Sequence, residues 1–137
     1  MIQPPIFIVV RDLLSPLQQL VNWLERAGHD RIVLVDNDST YPPMVEYLSA
    51  TPHTVVRCGW NMGHRSPWLS GAIFEMAHDE PYIVSDPDIV PDDKSWTWVL
   101  ERVCGECSFD VRDFEPSELG AMVRANATEW ALSLIHI

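Results

Sequence analysis

The sequence predicts an α/β domain built on an open, mostly parallel sheet with helices on both faces, and three observations predict it. Short unbroken apolar runs rich in β-branched residues alternate with longer stretches of helical period. Proline and glycine punctuate the helical stretches at the ends where each is favoured. Acidic and amide residues gather directly after the apolar runs, at the edge where open α/β sheets bind their ligands. The chain has 137 residues, 47% of them hydrophobic, which is enough for one ordinary core and one domain.

The first strand is Ile6 to Val10, a run suited to burial on both faces. Ser15-Pro16-Leu17-Gln18 then opens a helix: Ser15 caps it, Pro16 takes the first helical position, and Gln18 completes a capping box. Leu17, Leu20, Val21 and Leu24 follow at helical spacing, and Gly28 ends the helix in a left-handed conformation. Ile32 to Val35 is the second strand and runs into Asp36-Asn37-Asp38-Ser39-Thr40. A short helix from Pro42 or Pro43 turns Met44, Tyr47 and Leu48 inward, and Thr54 to Cys58 is the third strand.

The turn-like Gly59-Trp60-Asn61-Met62-Gly63-His64 leads to Ser66-Pro67, a second cap-plus-proline signal. It is expected to start a helix reaching about His78, with Trp68, Ala72, Phe74 and Met76 among its larger apolar groups. Tyr82 to Ser85 is the fourth strand and ends in Asp86-Pro87-Asp88. This alternation implies right-handed crossovers and a parallel sheet. Asp92 to about Val103 reads as a further helix, whereas Asp110 to Thr128 has no clean period.

The formal charge of −11, with Lys94 the sole lysine, argues against a surface that neutralises nucleic-acid phosphates or anionic lipid headgroups. A small anion remains compatible, because a bound cation or a helix N-terminus reverses the sign locally. Cys58, Cys104 and Cys107 are odd in number and widely spaced, unlike the disulfide framework of a small secreted domain. No apolar run reaches the roughly 20 residues needed to span a bilayer, and the first residues lack a signal-peptide pattern. The expectation is a cytoplasmic protein, with peripheral membrane association left open.

Two carboxylates one residue apart at a strand end can hold a hard cation, and the cation can neutralise a diphosphate. Asp86 and Asp88 are so placed. Asp36, Asn37 and Asp38 form a second polar cluster at the same edge; they are suited to hydrogen-bonding a base or ribose, or to closing the strand with an Asx turn. Arg11 either pairs with a phosphate or with Asp12 or another surface acid. His64 and Arg65 precede a helix and are candidates for the diphosphate or sugar. Cys104-Gly105-Glu106-Cys107 has half the ligand spacing of a zinc site without a second half. The tryptophans at 60, 68, 96 and 98 could stack on a sugar ring or fill the core.

The order of these clusters resembles the nucleotide-sugar half of GT-A glycosyltransferases, in particular the large inverting family 2 type. Val35-Asp36-Asn37-Asp38-Ser39-Thr40 stands where that family has an Asp-Asp-Gly-Ser-like motif, and Asn61-Met62-Gly63 where it often has an Asn-any-Gly turn. Asp86-Pro87-Asp88 stands at its Asp-any-Asp metal motif. The resemblance covers about residues 5 to 91. It implies a Rossmann-like GT-A sheet and a nucleotide-diphosphate sugar as donor, with Mn2+ or Mg2+ as cofactor and an unknown acceptor hydroxyl. It implies that Asp36 and Asn37 face the base and ribose, that Asp86 lies near the ribose and metal, and that Asp88 ligates the metal directly.

On this resemblance residues 1–91 are the nucleotide-sugar half and residues 92–130 begin an incomplete acceptor side. Asp110, Asp113 and Glu115 are then the local acidic residues available as a general base. The tail Leu132–Ile137 resembles translated sequencing-adapter sequence, so residues 131–137 are expected to be non-native. Two departures stand out: Asn37 replaces a more usual acid, and the first strand ends in Val10-Arg11-Asp12 rather than Pro-Thr-Tyr-Asn.

A rival reading is a haloacid-dehalogenase-like phosphatase, whose strand plus Asp-any-Asp-any-Thr motif resembles Ile32 to Thr40, with Asp36 as nucleophile and Asp38 as acid/base. Its downstream lysine is missing, since Lys94 follows Asp86 and Asp88. A non-catalytic α/β binding module is the third reading. No Gly-any-Gly-any-any-Gly follows the first strand and no Gly-Lys-Ser/Thr occurs, which disfavours nicotinamide-binding and P-loop folds.

Overall fold

The computed structural model describes residues 3–89 and 91–104, together with residues 135–136 of the tail. The elements follow the expected alternation: β1 (Ile6–Val10), α1 (Leu14–Arg26), β2 (Ile32–Asp36), α2 (Pro42–Ala50) and β3 (Thr54–Arg57). A single 3-10 turn, Gly63–Arg65, then precedes α3 (Ser66–Leu69), α4 (Ala72–Met76), β4 (Tyr82–Ser85) and α5 (Asp93–Cys104). The pair Ile135–His136 forms β5.

The strand order is β3-β2-β1-β4-β5. The first four strands are parallel, with Ile6 opposite both Ile32 and Ile83, and β5 adds antiparallel to β4. The protein is therefore α/β with a mostly parallel sheet, as its apolar runs predict. Because β1 has β2 on one side and β4 on the other, the winding direction reverses at β1. In such sheets a crevice opens outside the carboxyl ends of the two strands that flank the reversal, here β1 and β4.

Period-two alternation along the strands divides the core into two layers. Ile6, Ile8 and Val10 face Leu17, Leu20, Val21 and Leu24 of α1, Met44 and Leu48 of α2, and Trp96 and Val99 of α5. Phe7 faces the other way, with Val33, Val35 and Val84, against Ala72, Ile73 and Ala77 around α4. Full burial of one such large side chain contributes about 1.5–3 kcal/mol, so the sheet is held from both faces.

Gly28 ends α1 as predicted. Its φ of 81° is left-handed, its N–H donates to Glu25 O and the His29 N–H to Leu24 O, the paired bonds of a Schellman motif. Two other helix expectations are corrected. Ser15 does not cap α1: the helix begins at Leu14, two residues before the expected Pro16, with Leu13 at the cap position and no side-chain cap bond. Ser66 likewise lies inside α3, and the expected long helix is split in two by Gly71, whose φ of 82° no helix accommodates. The break rotates the second piece so that Ala72 and Ile73 pack inward while Phe74, expected among the packing residues, is 72% exposed.

At the opposite end of the sheet from the polar clusters, His29 follows the α1 cap and is only 1% exposed. Its ring meets Trp96 edge-on at 5.4 Å, and Trp96 meets Trp23 at 5.8 Å. Among the described residues neither imidazole nitrogen nor Trp96 Nε1 makes a hydrogen bond of full geometry. Burial pushes the His29 pKa down from 6.5 to about 4, with the Pro4 backbone and Asp30 opposing the shift and Arg31 adding to it.

Candidate functional site

Parallel pairing brings the ends of all four long strands to one edge, so the loops after Val10, Asp36, Arg57 and Ser85 are neighbours although they are far apart in sequence. Side-chain bonds to backbone tie these loops together. Asp12 takes a left-handed φ of 56°, which aspartate tolerates better than most residues. Its carboxylate accepts the N–H groups of Thr40 at 2.8 Å and Tyr41 at 2.9 Å. Tyr41 is the cap position of α2 and offers no cap bond of its own, so a loop from β1 caps a helix after β2. Ser39 Oγ accepts the Asp12 N–H in return.

Asp36 and Asn37, the candidates for base and ribose, are 4% and 2% exposed. Asp36 Oδ1 accepts the Ser39 N–H at 3.1 Å, and its Oδ2 faces the Arg57 guanidinium at 3.9 Å. Asn37 donates through Nδ2 to the Gly63 carbonyl at 2.9 Å and accepts the Met62 N–H at 3.0 Å. Among the described residues Arg11 forms no ion pair with Asp12 or another acid; it donates to the Asn37 carbonyl at 3.0 Å. Asn61 closes its own turn by accepting the Gly63 N–H at 3.0 Å, and Gly63 supplies the left-handed φ of 71°. Asn37 thus pins the Asn61–Gly63 turn to β2.

Replacing Asn37 with Ala is expected to cost about 1–3 kcal/mol, because a buried site loses two bonds and the Met62 N–H loses its acceptor. Asn37→Asp keeps the acceptor for Met62 but sets a buried carboxylate oxygen against the Gly63 carbonyl and beside Asp36, so its loss is at least as large. Urea unfolding of both variants measures the difference.

The turn pinned by Asn37 carries His64, whose Nδ1 lies 4.0 Å from Asp86 Oδ1. Asp86 is half-buried and Asp88 exposed at the end of β4. Arg65 is exposed beside His64. The structure therefore gathers Arg11, Asp36, Asn37, His64, Arg65, Asp86 and Asp88 on loops of one edge. Asp36 and Asn37 are buried posts, while Arg11, His64, Arg65 and Asp88 face solvent.

Among the described residues, no group of three or more His, Cys, Asp and Glu side chains gathers to hold a metal ion. Asp86 and Asp88 offer two carboxylates. Two hard oxygen donors without nitrogen or sulfur suit Mg2+ or Mn2+, and Mg2+ is commonly held by one or two carboxylates with substrate phosphates completing its shell. The donor set fits a cation shared with a phosphate ligand.

Sequence reasoning overlooked Asp12 as a cap and Arg57 as the partner of Asp36. The left-handed propensity of aspartate is the available signal for Asp12; nothing local in the sequence marks the Arg57 pairing. Cys58 sits beside Asp36, and burial first, then the Asp36 charge, push its thiol pKa up, so it is not an activated nucleophile. Asp110, Asp113, Glu115 and Cys107 lie outside the described residues. No described helix is long and apolar enough to cross a membrane.

No family model matches the chain, and no curated protein matches it. Among solved structures the chain is similar to S. aureus TarS, residues 1–349, at a TM-score of 0.53 and 16% identity, over 72% of this chain and 31% of that one. At that identity the likeness is one of fold, and it supports a GT-A-like architecture. The present chain spans about a third of the TarS chain.

Proposed function

We propose that this chain is the nucleotide-sugar-binding half of a metal-dependent, inverting glycosyltransferase. The observation that carries the reading is the convergence at the sheet's reversal point: the Asn61–Gly63 turn is pinned to β2 by Asn37, and His64 on the same turn approaches Asp86 at the end of β4. TarS, similar in fold, is a glycosyltransferase, which supports the same class.

In this reading Asp88 and Asp86 hold Mn2+ or Mg2+ against the diphosphate of the donor. Such a cation supplies charge neutralisation to the departing nucleoside diphosphate. Arg11, His64 and Arg65 line the approach and orient the phosphates by charge-assisted bonds. Asp36 and Asn37 act mainly by building the floor under the nucleoside, since both are nearly sealed by protein partners. An acceptor hydroxyl attacks the anomeric carbon from the face opposite the diphosphate, the bond to the phosphate oxygen breaks, and a carboxylate base takes the hydroxyl proton. In this scheme residues 1–91 carry the donor-binding part.

The sealed position of Asp36, between the Ser39 N–H and Arg57, weighs against its use as a phosphatase nucleophile. Calorimetric titration with UDP, GDP and dTDP, each with and without manganese, tests the proposal. Binding of at least one of them only when manganese is present is the expected result; no binding of any of the three overturns it.

A further inference from the structure

The buried state of Asp36 and Asn37 leaves the face of a bound base to some other residue. Among the described residues, six large apolar side chains are strongly exposed: Leu13, Tyr41, Trp60, Trp68, Leu69 and Phe74. The last three lie on α3 and α4, and Trp68 turns from the edge to donate to the Tyr82 hydroxyl at the start of β4. Leu13, Tyr41 and Trp60 lie on the loops after β1, β2 and β3, at the ligand edge. Trp60 has the largest flat face of these three and is 56% exposed.

The loop that carries Trp60 is held at both ends. The Cys58 N–H donates to the Asp36 carbonyl at 3.0 Å, and Asn37 takes the N–H of Met62 and donates to the carbonyl of Gly63. Between these ties Gly59 takes a φ of 79°, so the chain turns sharply just before Trp60. An exposed indole on a loop clamped to the buried floor has little ordering left to lose when a ring stacks on it. The pair Asp86 and Asp88, with a cation, takes the anionic end of a ligand, whereas at the β2–β3 end Asp36 is sealed by the Ser39 N–H and the Arg57 guanidinium, which leaves the indole face of Trp60 for a neutral ring. Those ends are separated by β1, so β2 and β4 lie about 9–10 Å apart, a gap for the ribose to bridge.

We propose that Trp60 is the stacking surface for the base of the bound nucleoside diphosphate. This rests on the donor-binding reading above. Trp60→Ala is expected to weaken manganese-dependent binding of UDP and GDP about ten-fold and to leave binding of inorganic pyrophosphate with manganese unchanged. Trp60→Phe keeps a stacking ring and stays within about three-fold of the parent. UDP should quench part of the indole emission of the parent protein, and that quenching should be lost in the Phe variant, whose remaining tryptophans emit unchanged.

Equal binding of UDP by the Ala variant and the parent overturns the proposal, as does an equal loss of pyrophosphate binding, which marks a structural effect. If the parent binds pyrophosphate with manganese as tightly as UDP, the stacking role falls while the metal site stands. If it binds neither, the donor-binding reading falls first and takes this one with it.

Discussion

Replacing Asp88 with Asn is expected to abolish manganese-dependent binding of a nucleoside diphosphate, with affinity falling at least about 100-fold, the top of the range seen when only a supporting residue of a metal site is lost. The substitution keeps the size and removes the charge from one of two carboxylates available to the cation. Asp88 is exposed and Asp86 half-buried, so folding stability should stay within about 0.5 kcal/mol of the parent. Calorimetry with manganese and UDP measures the first quantity and urea unfolding the second. Unchanged binding by a folded Asp88→Asn protein would mean that this strand end is an acidic turn and nothing more.

The second large effect concerns pH. His29 is buried, and burial lowers its pKa in the folded protein to about 4 from 6.5. Between those values the unfolded chain binds a proton that the folded protein does not, so stability falls as pH drops from about 6.5 to about 4 and levels off for this group below that. The difference amounts to roughly 3 kcal/mol. His29→Leu should remove that part of the acid sensitivity, leaving the slope contributed by carboxylates. Urea unfolding of both proteins at pH 7, 5.5 and 4 separates the two; curves that fall in parallel would show that His29 carries none of it.

Much of the fold is legible in the sequence because its signals are local. Apolar runs with β-branched residues mark the four parallel strands within a residue, and the Leu17, Leu20, Val21 and Leu24 spacing marks the buried face of α1. Gly28 is read correctly because a left-handed residue at a helix end strongly favours glycine. Ser15 and Ser66 mislead for a related reason: serine before proline signals a helix start, but the exact residue depends on how the preceding loop enters. Asp12 supplies cap bonds that reach across to Thr40 and Tyr41, which no local pattern reports. Gly71 looks tolerable inside a helical stretch, yet its left-handed φ divides the helix.

For the site, position at strand ends is legible, whereas burial is not. Asn37 carries the same polar groups whether it faces a ligand or the backbone of Met62 and Gly63. The choice is made by a turn some 25 residues away, which periodicity does not register. Asp86 and Asp88 are separated only by Pro87, so their shared place at the end of β4 follows from the strand assignment alone.

The central place of β1 has a consequence for biosynthesis. Ile6–Val10 is made before both of its neighbours, and one of them, Ile83–Ser85, follows only after the intervening crossovers. At about 5–20 residues per second, this wholly apolar strand waits on the order of several seconds with one flank unpaired. Nascent chains stalled before Tyr82 would therefore be the sticky species, a target for chaperones and a seed for aggregation.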